Sequence, residues 1–305
     1  MVLPKRIVFS GGGSRIICHA GALKALEEQG LLRLVREYVG SSAGAIAALA
    51  LAIGFTVKEF LEHLMKFDFS ELQDPNAMDM DNILGALETC GLDDGQTMGT
   101  YFSRVLEERG FSPKITFAQL RRHRGITLRI LATDIHTTAP FEFSPIRTPN
   151  SLIIDAVLAS AAIPFYFQPR HDPIHKHWLA DGGILYHYPL PYLSKEEQEE
   201  SIGICLCTLH ELPVPPSDQE DQFIYFKRII QLLLQPPRLP HERVHPNSIY
   251  IETAPTFVMD FIMTPEYKRE LIESAYRQTI QSLRVRESQE REWLRSPIAR
   301  RHSVG

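Results

Sequence analysis

Val39-Gly40-Ser41-Ser42-Ala43-Gly44 is the stretch on which the reading of this chain turns. It sets Gly-x-Ser-x-Gly between an apolar run of strand character and an alanine-rich run of helix character. Where a strand turns sharply into a helix, flanking glycines let the backbone fold tightly and leave the central hydroxyl exposed, as in a nucleophile elbow. Ser42 is therefore the candidate nucleophile. The motif alone also fits an ordinary strand-to-helix turn, so its partners must decide.

Upstream, Arg6–Ser10 reads as a short buried parallel strand, broken at Gly11-Gly12-Gly13-Ser14-Arg15 and followed by a helical pattern that Gly30 stops. Leu31–Val39 reads as the strand entering the serine turn and Ala43–Ile53 as the helix leaving it. This alternation predicts an α/β fold with a mostly parallel central sheet and helices on both faces. Downstream, Val57–Glu108 reads as helical, with loops at Asp74-Pro75-Asn76 and Gly91–Gly95. A short helix follows at Thr116–Leu120, and another at Ser151–Ala162 that Pro164 ends. Strands are predicted at Thr127–Thr133, Phe141–Phe143, Trp178–Ala180, Ser201–Thr208 and Ile249–Ile251, and a last helix at Thr264–Leu283. From Arg284 the chain is charged and polar, and fraying is expected.

A chain of 305 residues is within reach of one large α/β domain, expected over 1–288 with a charged tail at 289–305. Its 44% apolar and 23% charged residues are ordinary for a soluble protein. A net charge of −5 argues against general affinity for nucleic acid. Cys18, Cys90, Cys205 and Cys207 form no Cys-x-x-Cys pair and read as reduced thiols, which fits a cytoplasmic location. The N-terminal Met-Val-Leu-Pro-Lys-Arg lacks the apolar region of a signal peptide. Tyr38–Val57 carries no charge and has the length of a membrane span, but its glycines, serines and alanines fit a buried strand, turn and helix better.

A serine needs a base to take its proton, and attack on a carbonyl creates an oxyanion that needs preorganised donors. The loop Gly11-Gly12-Gly13-Ser14-Arg15 offers consecutive backbone amides at a helix start, able to hold a phosphate or an oxyanion. A dinucleotide fingerprint is disfavoured, because Ile16 stands at the last glycine position and no ribose-binding acid follows at the usual spacing. Twelve histidines make a Ser-His-Asp triad conceivable, but none sits in the expected kind of turn. His171, His175 and His177 match no standard metal spacing and read as a solvated hairpin, and His19 reads as a hydrogen-bonded packing residue. Asp181-Gly182-Gly183, after an apolar strand, reads as a constrained turn presenting a carboxylate.

Taken in order, Phe9-Ser10-Gly11-Gly12-Gly13-Ser14-Arg15, Gly40-Ser41-Ser42-Ala43-Gly44 and Asp181-Gly182-Gly183 resemble the patatin-like phospholipase family. Ala132-Thr133-Asp134, Ala159–Pro164 and Asp260-Phe261 echo it, and the likeness runs from about Arg6 to Leu283. The resemblance implies a three-layer α/β/α fold and a Ser-Asp dyad, with Ser42 as nucleophile and Asp181 as proton acceptor. It implies an oxyanion hole from the amides of Gly11, Gly12, Gly13, Ser14 and Arg15, with Arg15 supporting the loop and Gly40, Gly44, Gly182 and Gly183 shaping the two turns. No metal or cofactor is implied. Two positions depart from the family pattern. Ile16 replaces the usual glycine after the arginine, which would shift the loop or the start of the helix, and His187 replaces an asparagine.

The resemblance also implies hydrolysis of a fatty-acyl ester, foremost of phospholipids, with other esters or thioesters as the nearest alternative. A catalytically silent lipid-binding or regulatory protein on the same scaffold is the alternative from another class. Phe223–Leu234 is the most apolar helical stretch, flanked by Pro-rich segments within a candidate cap at 212–246. It either packs on the sheet or dips into lipid through Phe226 and Ile230, with Lys227 and Arg228 near headgroups. Arg295, Arg300 and Arg301 would add weak attraction to anionic lipid, so the expected location is cytoplasmic with peripheral membrane contact.

Overall fold

In a computed structural model of the chain, residues 3–77, 79–207, 228–230, 232–234, 245–253 and 262–295 are described. The first strand, β1 (Arg6–Phe9), leads through the glycine loop into α1 (Ile16–Glu28). β2 (Glu37–Ser41) and α2 (Ala43–Ala52) form the strand and helix of the serine turn. α3 (Val57–Lys66), α4 (Met80–Thr89), β3 (Gly91–Asp93), α5 (Gln96–Glu108) and α6 (Phe117–Arg124) follow. Then come β4 (Thr127–Asp134), β5 (Ala139–Phe143), α7 (Ile153–Ser160), β6 (Phe165–Phe167), β7 (Arg170–His171) and β8 (Trp178–Ala180). The remaining elements are α8 (Gly183–Tyr186), α9 (Lys195–Glu199), β9 (Ser201–Cys207), β10 (Ser248–Glu252) and α10 (Pro265–Arg295).

The central sheet has the order β10-β9-β1-β2-β4-β8-β7, with β5 also on β4. β10, β9, β1, β2 and β4 run parallel, while β5 and β8 are antiparallel to β4. The mostly parallel α/β architecture is thus as expected from the alternation of elements.

Alternating side chains divide the core. Ile7, Phe9, Ile204 and Leu206 belong to the large cluster beneath the long helices, among which α1 packs along α10. Val8, Val39 and Cys205 face the other way onto Tyr188, Leu190 and Leu193, so the second outer layer is thin and built around the short segments from α8 to α9. At the edge where the parallel strands begin, Arg6 pairs with Glu37 at 2.8 Å, and Arg129 pairs with Glu197 at 2.6 Å and Glu142 at 2.9 Å. The opposite edge, where the parallel strands end, carries the site.

Three expectations shift. β2 starts at Glu37 rather than Leu31, because α1 ends in a glycine cap: Gly30 has φ +69°, its amide donates to Glu27 O, and the Leu31 amide donates to Leu26 O. The loop at Gly91–Gly95 contains a strand, since Gly91 and Asp93 pair with Phe165 and Phe167. The final helix runs past Leu283 to Arg295, so the chain does not fray at Arg284. Asp260 and Phe261, most of the candidate cap and Arg300 and Arg301 lie outside the described residues.

Candidate active site

Sheet topology explains why Ser42 and Asp181 meet although 139 residues separate them. Ile130 and Leu131 of β4 pair with β2 on one edge and β5 on the other. Thr133 and Asp134 pair with β5 on that same second edge and with Ala180 and Leu179 of β8 opposite. β8 therefore occupies the place beside β4 that β2 leaves when the chain turns away at Ser42. The end of one strand and the end of the other converge on one point.

At that point Ser42 Oγ donates to Asp181 Oδ2 at 2.7 Å. Ser42 has φ +54° and ψ −126°, a conformation unusual for a residue with a side chain and held by its surroundings. Its amide donates to Ser160 Oγ at 2.9 Å, and Ser160 Oγ donates to Leu131 O at 2.6 Å. The turn is tight because Gly40 and Gly44 have no side chains: a Cβ on Gly40 would lie 2.2 Å from Gly44 O, and one on Gly44 would lie 2.5 Å from Phe9 O.

Asp181 is completely buried. Its amide donates to Ala162 O, and its carbonyl accepts from Thr133 Oγ1 at 2.9 Å. Its Oδ1 accepts the Gly183 amide at 2.7 Å, which leaves Oδ2 for Ser42. Burial is the dominant influence on its acidity and pushes the pKa up to about 7, against the smaller opposing pull of the Ser42 and Gly183 hydrogen bonds. The carboxylate is thereby a far better proton acceptor near neutral pH than an exposed aspartate.

The glycine loop divides into two parts. The Gly11 amide is not available to an oxyanion, because it donates to His187 O at 2.7 Å, which corrects the expectation for Gly11. The Arg15 amide and Arg15 Nε both turn to Gly12 O, and Arg15 Nη1 donates to Thr253 Oγ1 at 3.1 Å, so Arg15 braces the loop rather than facing the site. The amides of Gly12, Gly13 and Ser14 have no acceptor among the described residues. Gly12 and Gly13 line a small pocket together with Ser42, Asp181 and Gly183. The start of α2 points its N-terminal dipole at the same spot.

Ile16 does not disturb this arrangement. It is the first residue of α1, buried, and lines the cavity beside Ser42. Among the described residues no histidine bonds to Ser42. His19 and His187 are buried, with pKa values pushed down by burial to about 4 and about 3. His19 Nε2 lies 2.9 Å from Ser10 O, the packing role expected of it. His175 and His177 lie on the β7–β8 hairpin, where Asp172 accepts the amides of Ile174, His175 and His177 and Asp134 Oδ2 lies 2.9 Å from His177 Nδ1.

From Ser42 a cleft of about 910 Å³, including its open mouth, extends along α2 between α3 and α5. Its walls are almost wholly apolar.

A profile of the patatin-like phospholipase family matches residues 7–194. This chain belongs to the patatin-like phospholipase family. The match covers the glycine loop, the serine turn and the Asp-Gly-Gly turn. Similar proteins include the uncharacterized protein YqhO of Bacillus subtilis, 28% identical over 89% of this chain and 95% of that one. The triacylglycerol lipase ptl3 of Schizosaccharomyces pombe is 32% identical over 53% of this chain and 33% of its own length. Among solved structures, that of VipD from Legionella pneumophila aligns with a TM-score of 0.61 at 20% identity, covering 93% of this chain and 67% of that one, which shows the patatin-like fold.

Two contributors to the site escaped the sequence reading as functional residues. Ser160 Oγ fixes the serine turn by accepting the Ser42 amide, and Thr133 Oγ1 donates to the carbonyl of Asp181. Both lie in stretches that echo the family, Ala159–Pro164 and Ala132–Asp134, but neither their type nor their spacing marks them as partners of Ser42 and Asp181.

Proposed function

We propose that this patatin-like protein is a lipid acyl hydrolase that works through an acyl-Ser42 intermediate. The observation that carries the reading is the 2.7 Å hydrogen bond from Ser42 Oγ to a fully buried Asp181, at the head of an apolar cleft. Asp181 Oδ2 takes the Ser42 proton as Oγ attacks the ester carbonyl, and the amides of Gly12, Gly13 and Ser14 receive the oxyanion. Asp181 returns the proton to the departing alcohol. It then accepts one from the water that attacks the acyl-serine and passes it to Ser42 Oγ as the fatty acid leaves, which restores the starting state. Throughout, the acyl chain lies in the cleft below Ser42.

Because the ionised carboxylate is the base, kcat/KM should rise with pH along a limb centred near 7. Burial sets that position, so a variant admitting water beside Asp181 should move the limb toward acid. A rate that is flat from pH 5 to 9, measured on one soluble ester, would exclude Asp181 as the base.

The substrate class is acyl lipid, foremost phospholipid cleaved in the manner of a phospholipase A, with the protein peripheral to the membrane. No helix among the described residues is long and apolar enough to cross a bilayer. Support for surface contact comes from residues around the mouth. Ile230 and Leu234 are buried, which corrects the idea that Ile230 enters lipid, whereas Leu232 and Leu233 beside them are exposed. Phe165 and Leu185 are exposed too, each two residues from a residue lining the pocket at Ser42, Ile163 and Gly183 respectively. Phe226 lies outside the described residues.

The test is fatty-acid release from phosphatidylcholine vesicles and from trioleoylglycerol emulsions, alongside a soluble butyrate ester. Release from vesicles is expected, and Leu232→Asp with Leu233→Asp should lower that rate about tenfold while sparing the butyrate ester. Folded protein that releases acid from no acyl ester would overturn the reading.

A further inference from the structure

The cleft that begins at Ser42 is apolar except at its ends. Ser14 and Ser42 are the polar side chains at the head, and His63 and Tyr101 are the others in its lining. The position of that second pair follows from α2. Ala43, Ile46, Leu49, Ala50 and Ile53 line the cleft along one side of that helix and its end, and ten residues at 1.5 Å each put Ile53 about 15 Å beyond Ala43. Two residues later Phe55 meets the His63 ring edge-on, with centroids 5.6 Å apart. His63 therefore lies at the far end.

There His63 Nε2 is 2.5 Å from the Tyr101 hydroxyl. Phe67 stacks on His63 and also contacts Tyr101 at 4.7 Å between centroids, so both rings are held in place. Yet the pair is not saturated. His63 Nδ1 has no partner among the described residues, and a phenol bonded to one imidazole keeps a further site on its oxygen. Of the charges nearby, Arg109 pairs with Glu59 at 3.1 Å and Arg104 with Glu71 at 3.9 Å, while Glu108 adds a further negative charge close to both rings. Burial holds the His63 pKa below its ordinary value, so the imidazole is neutral near pH 7. A neutral hydrogen-bonding group suits such an end better than a carboxylate.

From this placement we infer that His63 and Tyr101 form a polar stop that selects acyl chains bearing a hydroxyl at their far end, about 15 Å from the ester. The inference rests on the cleft being the acyl site of the proposed hydrolase. A plain hydrocarbon end would cover the free hydrogen-bonding capacity of the pair without satisfying it, whereas a terminal hydroxyl would both donate and accept. An extended twelve-carbon chain has a matching length.

The experiment compares the p-nitrophenyl esters of dodecanoic and 12-hydroxydodecanoic acids, with the butyrate ester as a chain too short to reach the stop. In parallel, calorimetry measures binding of the two free acids to Ser42→Ala protein. Wild type should favour the hydroxylated ester by about tenfold in kcat/KM, mainly through KM, and Ser42→Ala should bind the hydroxylated acid about tenfold more tightly. Tyr101→Phe and His63→Leu should each reverse the preference while leaving butyrate turnover unchanged. Equal affinity for the two acids, or variants that slow all three esters alike, would overturn the polar stop. Tighter binding of the hydroxylated acid without turnover of any ester would uphold the stop and reject the proposed dyad chemistry.

Discussion

Asp181→Asn should lower kcat by about 10³-fold or more, and Ser42→Ala should bring it to background. An amide nearly matches the carboxylate in shape, so the turn at Gly182 and the contact with Thr133 should persist. What disappears is the acceptor for the Ser42 proton. Since Oδ1 is held by the Gly183 amide, the asparagine would keep its oxygen there and turn its NH₂ toward Ser42, the wrong polarity for a base.

The same substitution should leave a signature in stability. The carboxyl of Asp181 has a pKa raised to about 7 in the folded chain, against 3.8 ordinarily. The folded state therefore binds this proton more tightly than the unfolded state, and stability falls as pH rises from about 4 to about 7. Asp181→Asn removes that loss. Its melting temperature relative to wild type should be higher at pH 8 than at pH 4.5, as expected of a site that sacrifices stability for reactivity. An equal difference at both pH values would mean that the buried carboxyl is not held protonated by its surroundings.

Gly40→Ala should cost about 3 kcal/mol or more and abolish Ser42 reactivity together. The added methyl would meet Gly44 O at 2.2 Å, Gly44 C at 2.3 Å and Ala45 N at 2.6 Å, all backbone atoms that cannot swing aside. Relief requires that α2 move away from β2, which carries Ser42 away from Asp181 and the glycine loop. For a domain of this size the loss corresponds to about 6–12 °C in melting temperature. Gly85→Ala is the matched control, because nothing among the described residues lies within 4 Å of its added Cβ and alanine favours the helix there. It should melt at or slightly above the wild-type temperature. Similar melting of the two variants would mean that the close approach at Gly40 is not needed.

How much of this was legible beforehand depends on range along the chain. Ser42 and Asp181 could be singled out because each sits among glycines that mark a sharp turn, and the parallel sheet followed from alternating apolar strands and helices. The meeting of the two residues was not legible from either motif. It depends on β8 taking over the edge of β4 that β2 abandons, a pairing of segments far apart in sequence. The same limit hid the Gly11 amide, whose acceptor is the His187 carbonyl, and Ser160, whose partner is the Ser42 amide. The start of β2 was missed for a local reason: a helix cap after Gly30 consumes the Leu31 amide. His63 and Tyr101 look like unremarkable residues of amphipathic helices until α3 and α5 are brought together.

The most direct measurement is mass spectrometry of the folded protein after exposure to a lipid-like fluorophosphonate above pH 7, with peptide mapping of the adduct. The expected result is one adduct per chain, on Ser42, absent from Ser42→Ala and formed at least a hundredfold more slowly in Asp181→Asn. An adduct on another residue, or formation in Asp181→Asn at the wild-type rate, would contradict the Ser42–Asp181 dyad.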